Sequence, residues 1–119
     1  MAKFLLFDDD PGVLDSLKEC LCLRGYEIIT YDSPYVLISA IKHGIAYDLL
    51  ITDISIENSK YDGNDIAETS KLINPTALVF TMSGYGDYTC RYADRHIKKG
   101  LIDNFLRPII ARFPPNLSV

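Results

Sequence analysis

No stretch of this sequence is apolar for long enough to enter a membrane, and no stretch is basic enough to track a polyanion. No run approaches the roughly 18 apolar residues of a membrane span. Lys3 is followed by only four apolar residues before Asp8, too few for the core of a signal peptide. Twelve basic against sixteen acidic side chains leave a net charge of −4, which argues against nucleic-acid binding by this segment itself. Cysteine is scarce and odd in number, with Cys20, Cys22 and Cys90 alone. A zinc site needs more ligands at tighter spacing, so the three read as free thiols of a reducing cytosol. Internal repeats, low-complexity tracts and linkers are also missing. The 119 residues then fit one domain, long enough to bury roughly two-thirds of the unfolded surface without a disulfide or metal.

What is present is an alternation of short apolar runs and longer amphipathic stretches. Lys3–Phe7 reads as a buried strand that ends abruptly in charge. Asp10 followed by Pro11 is a helix-start signal, and Val13, Leu14, Leu17 and Leu21 share one face of a helix that Gly25 ends. Glu27–Tyr31 is the second strand, and Ser33 with Pro34 repeats the cap-plus-proline signal for a second helix. Residues 49–52 form a third strand ending at Asp53, with a third helix over about 64–72. A fourth strand over 77–82 ends at Ser83-Gly84. Cys90, Ala93 and Ile97 at helical spacing predict a fourth helix over 87–99, and residues 102–106 predict a fifth strand ending at Arg107-Pro108. Five strands alternating with four helices imply a parallel sheet covered on both faces. The Pro114 and Pro115 pair leaves a fifth helix short or absent. The domain is read as residues 1–110, with 111–119 as a proline-containing tail.

In a parallel sheet every strand ends at one edge, where ligands bind. Asp8-Asp9-Asp10, Asp53, Ser83 and Arg107 all converge there. Two carboxylates roughly 4 Å apart repel by about 4 kcal/mol at an effective dielectric of 20, so the acidic run asks for a cation. Hard oxygen ligands with open positions suit Mg2+. Such an ion would neutralise an incoming phosphate, with Asp53 as nucleophile, Ser83 as hydrogen-bond donor and Arg107 as cationic partner.

This order of residues resembles the receiver domain of two-component response regulators. The likeness runs from residue 3 to about 110 and rests on DDD after the first strand, YDLLITD, SGYGD and a basic residue before Pro108. It implies a doubly wound, flavodoxin-like sheet of order 2-1-3-4-5. It implies Asp53 as phosphoacceptor, Asp8 and Asp9 with Asp53 and the Ser55 carbonyl as Mg2+ ligands, and Ser83 as switch hydroxyl. Asp10 is better spent as a helix cap. A bacterial, cytoplasmic phosphoprotein is implied, with a histidine kinase or phosphotransfer protein as donor and an effector domain or homodimer as output. It implies a signalling domain rather than an enzyme, limited to self-catalysed phosphoryl transfer and autodephosphorylation.

Three departures stand out. Arg107 occupies the place of the family's lysine, and a planar fork does not reach like a point charge. The ungapped register then puts Asn104 at the switch aromatic's place, and a one-residue gap puts Phe105 there. After Asp53, Ile56-Glu57 replaces the usual Met-Pro, and Asp62-Gly63 comes two residues late. The tail lacks room for a full helix. A pseudo-receiver, the same fold used as a binding module with impaired phosphorylation, is the alternative that Arg107 raises. FDDDPG also resembles the nucleophile motif of haloacid-dehalogenase-type phosphatases, with Asp8 attacking and Asp10 as acid, though Pro11 and Gly12 break that motif. Tyr85, Tyr88 and Tyr92 fall on one stripe, read as packing or a partner surface.

Overall fold

The computed structural model describes residues 2–56, 59–84, 90–100 and 102–115. Five strands, β1 (Lys3–Phe7), β2 (Glu27–Tyr31), β3 (Leu49–Asp53), β4 (Leu78–Ser83) and β5 (Arg95–Lys98), form one sheet in the order β2-β1-β3-β4-β5. Every pair is parallel. Four helices are described: α1 (Pro11–Cys22), α2 (Pro34–Lys42), α3 (Gly63–Ile73) and α4 (Ile102–Arg112). The order expected from the sequence therefore holds.

Strand alternation divides the core. Phe4 and Leu6 of β1 point to one face, where Leu14, Leu17 and Leu21 of α1 meet Phe105, Leu106 and Ile109 of α4. Leu5 and Phe7 point to the other, against Leu37, Ile38 and Ile41 of α2 and Ile66 and Ala67 of α3. Each such side chain, fully buried, contributes about 1.5–3 kcal/mol relative to exposure. β1 and β3 lie inside the sheet and carry the continuous apolar runs. β2, at the edge, is only half-buried.

The helix starts follow their sequence signals. Asp10 accepts from the N–H groups of Gly12 (2.9 Å) and Val13 (3.4 Å), with Pro11 opening α1. Ser33 accepts from Val36 N–H and Pro34 opens α2. Asp62 and Asp65 bond each other's backbone N–H reciprocally at the start of α3.

The fifth βα unit departs from the sequence expectation. Residues 95–98 are strand, not the end of a helix, and residues 102–106 are helix, not strand. The reason is a coincidence of spacing. A four-residue edge strand with one buried side chain, Ile97, offers too short an alternation to show a period of two. Its Ile97 also falls seven after Cys90, as a helix stripe would. Arg107-Pro108 imitates the end of a strand, yet Phe105, Leu106 and Ile109 carry the stripe of α4, and Pro108 lies buried within it. α4 continues to Arg112, and Phe113 carbonyl accepts from Tyr26 hydroxyl, tying the helix end to β2's entry. No helix is described between β4 and β5. There Cys90, Tyr92 and Ala93 pack against the α2–α3 side of the core. Tyr85, Tyr88 and Glu57 lie outside the described residues.

Gly63, the first residue of α3, lies directly under the site. A Cβ there would meet the Asp53 carbonyl oxygen at 2.4 Å and the Ile54 Cα at 2.5 Å, both rigid backbone atoms. Gly63→Ala is expected to lower the unfolding free energy by about 1–3 kcal/mol, read as a lower urea midpoint at unchanged slope.

Candidate phosphoacceptor site

The carboxyl ends of β1, β3, β4 and β5 deliver four groups to one place. Asp8 follows β1 and is fully buried. Asp53 ends β3 and Ser83 ends β4, both buried. Lys99 follows β5, placed there by its backbone N–H to the Ser83 carbonyl (2.7 Å). Its Nζ lies 2.8 Å from Asp8 Oδ2 and 3.0 Å from Asp53 Oδ2. One ammonium thus bridges two carboxylates that reached the edge from strands more than forty residues apart.

Backbone donors hold the other oxygens. Asp8 Oδ1 accepts from Asp10 N–H at 2.9 Å, and Asp53 Oδ1 from Ser55 N–H at 3.4 Å. Asp9 is exposed beside them. Burial raises the Asp53 carboxyl above its ordinary value, and the Asp8 charge adds to this against the lowering effect of Lys99. Burial pulls Lys99 the other way, but its two carboxylate partners outweigh that, and its net shift is upward.

Mg2+ is tested by the donor set. Asp8, Asp9 and Asp53 offer oxygens within 4.8 Å of one another. Asp8 Oδ2 is fully buried, and its partner among the described residues is the Lys99 ammonium at 2.8 Å. The two carboxylates of Asp8 and Asp53 share the one Lys99 ammonium, which leaves that pair with excess negative charge. Hard carboxylate oxygens gathered this closely fit a small divalent cation.

FleR of Pseudomonas aeruginosa, a response regulator protein, is 27% identical over 111 residues, covering 93% of this chain and 22% of that protein. The chain therefore spans about a fifth (22%) of the length of the curated relative it matches. The response regulator TrrA from Thermotoga maritima, solved in complex with Mg2+-BeF, superposes with TM-score 0.81 at 26% identity, covering 94% of this chain and 98% of that one. A CheY-like receiver domain from Methanospirillum hungatei shares the fold, with TM-score 0.82 at 23% identity over 94% of this chain and 92% of that one. No family model matches. The chain is similar to response-regulator receiver domains in fold and in sequence.

The fold gathers Asp8, Asp9, Asp53 and Ser83 at one edge, and it seats Ser55 immediately beside them. It does not bring Arg107. That side chain is exposed on α4 and lines a cleft with Arg95, His96, Asn104 and Pro108 on the outer side of β5. Arg107 is corrected from strand end to helix surface, and the cation beside Asp53 is Lys99. Phe105 and Asn104 are likewise displaced from β5. Phe105 is buried in the core, lining a cavity of about 200 Å³ with Val13, Leu17 and Met82, and Asn104 is exposed on α4. The pseudo-receiver reading loses its first ground, the missing lysine, because Lys99 supplies the cation; its second, the altered loop after Asp53, lies partly outside the described residues. Asp10 is occupied in capping α1, which removes the acid of the phosphatase reading. The sequence reading missed Lys99 and His96. The signal is Lys98-Lys99-Gly100 directly after Ile97, which at the end of a helix expected over 87–99 carries no sign of a strand end.

Lys99→Met would leave Asp8 and Asp53 buried together. The expected loss is about 1–3 kcal/mol at pH 7 in chelator, below the ~3–5 kcal/mol of a fully buried pair because the ammonium is partly exposed. Asp53 would then hold its proton to still higher pH in the folded state than in the unfolded state. The folded form therefore binds more protons, and the variant is expected to regain stability as pH falls through that folded value. Urea midpoints at two pH values check this.

Proposed function

We propose that the receiver accepts a phosphoryl group on Asp53, with Mg2+ held by Asp8, Asp9, Asp53 and the Ser55 carbonyl. The observation that carries this is the Lys99 ammonium bridging Asp8 and Asp53 at 2.8 and 3.0 Å beside a cluster of Asp8, Asp9 and Asp53 oxygens within 4.8 Å of one another. When bound, the ion would offset the negative charge of the phosphoryl oxygens. An Asp53 carboxylate oxygen attacks phosphorus, an acyl phosphate bond forms, and the bond to the donor's leaving group breaks. Lys99 keeps Asp53 oriented and balances its charge. Ser83, two residues beyond Thr81 on β4, presents a hydroxyl to a phosphoryl oxygen. Water later cleaves the acyl phosphate, so the domain acts as a timed signal rather than as a turnover enzyme.

A histidine kinase or a phosphotransfer protein is the protein donor that fits this chemistry. TrrA, at 26% identity and TM-score 0.78 over 95% of this chain and 99% of that one, has been solved in complex with the histidine kinase ThkA. An effector domain or a second copy would read the state out. None of the described helices is long and apolar enough to cross a membrane, and a cytoplasmic partner supplies the phosphoryl group in this scheme.

Incubation with acetyl phosphate and Mg2+ is expected to add one phosphoryl group by intact mass. Asp53→Asn should abolish the adduct, and chelation should suppress it. An undiminished adduct on Asp53→Asn, or none on the wild type, overturns the assignment.

A further inference from the structure

His96 is the one described residue whose side chain joins two hydroxyls of β4. Thr81 and Ser83 alternate onto the same sheet face, and Thr81 pairs in register with His96. The imidazole spans both. Its Nδ1 lies 2.7 Å from Thr81 Oγ1 and its Nε2 lies 2.8 Å from Ser83 Oγ. Both hydroxyl-bearing residues are buried, and the ring is half-buried. No carboxylate of the described residues bonds the ring, and Arg95, Lys98 and Arg107 share the adjoining cleft. Burial also holds the imidazole below its ordinary value, so the neutral form, with one donor and one acceptor nitrogen, is the relevant species.

A neutral ring between two hydroxyls has two arrangements. In the first, Nδ1–H donates to Thr81 and Ser83 donates its hydrogen to Nε2, which turns that hydrogen away from Asp53. In the second, Thr81 donates to Nδ1, and Nε2–H donates to Ser83 Oγ. The Ser83 hydrogen is then directed to another acceptor. We infer that His96 is a positioning residue: through a Thr81–His96–Ser83 relay, its tautomer sets whether Ser83 offers its hydrogen to a phosphoryl oxygen on Asp53. This rests on Asp53 being the phosphoacceptor. An acceptor at Asp53 selects the Nε2–H tautomer, and the proton shift from Nδ1 to Nε2 carries the state of the site to edge strand β5.

The test is ¹⁵N NMR of the His96 ring in the full chain, with the substitutions read beside it. In the unmodified protein, Thr81→Val and Ser83→Ala should each change the ratio of the two tautomers. A ratio that neither variant moves overturns the relay, whatever Asp53 does. With beryllium fluoride and Mg2+ as the phosphoryl mimic, the ring should move to the Nε2–H tautomer. If amide shifts around Asp53 show the mimic bound and the ring does not move, the positioning role is overturned. If the mimic does not bind, the phosphoacceptor reading fails, the positioning role fails with it, and the unmodified-state comparison still decides the relay. His96→Gln, which can place an amide near Nε2, should keep most of the acetyl phosphate rate, and His96→Asn, which matches only Nδ1, should lose on the order of tenfold, less than deleting an oxyanion donor outright. Equal rates in the two variants, at equal folding stability, contradict the inference.

Discussion

Everything at the functional edge depends on one ammonium between two buried carboxylates. Asp8 and Asp53 are brought together by the β1–β3 pairing, in which Phe7 stands opposite Thr52. Side by side and without a cation they would repel by several kcal/mol at an effective dielectric near 20. Lys99 offsets that repulsion, and its position is set by β5 pairing with β4, whose last bond runs from Lys99 N–H to the Ser83 carbonyl. The outermost strand therefore has an electrostatic task as well as a structural one. It delivers the only described cation that contacts both acids.

That arrangement explains why the fold tolerates a polar cluster at low exposure. Thr52, Asp53, Thr81 and Ser83 are all buried, and each sits at or near a strand's carboxyl end. The apolar clusters on either sheet face fix the strands, and the strands fix the polar groups. Gly63 lets α3 start directly against the Asp53 carbonyl, with its N–H donating to Ile54 O at 3.0 Å. The loop carrying Asp53 is thus held from below by backbone packing and from above by charge.

Much of this was legible in the sequence. Buried strands such as FLLF and LLIT, proline after Asp10 and Ser33, and an aspartate after each of two apolar runs fixed the first three βα units and the acidic half of the site. The basic half was not legible, for a physical reason. β5 is four residues long and lies at the sheet edge, so its RHIK pattern buries one side chain and shows no dependable period. Arg107-Pro108, in contrast, carries the expected letters inside a helix, where Pro108 costs one backbone bond and packs in the core. Lys98-Lys99-Gly100 stands at the end of β5 but carries glycine where the family pattern has proline. His96 carries no signal in the sequence, because only strand pairing puts its ring against Thr81 and Ser83.

The most direct measurement is the titration of the Lys99 ammonium, followed through its Cε and Nζ resonances in the metal-free protein. The bridging geometry requires an ammonium that holds its proton above the ordinary lysine value, with Asp8→Asn and Asp53→Asn each lowering it and Arg107→Gln leaving it alone. A lysine titrating at its ordinary value, indifferent to both aspartates, would contradict the account.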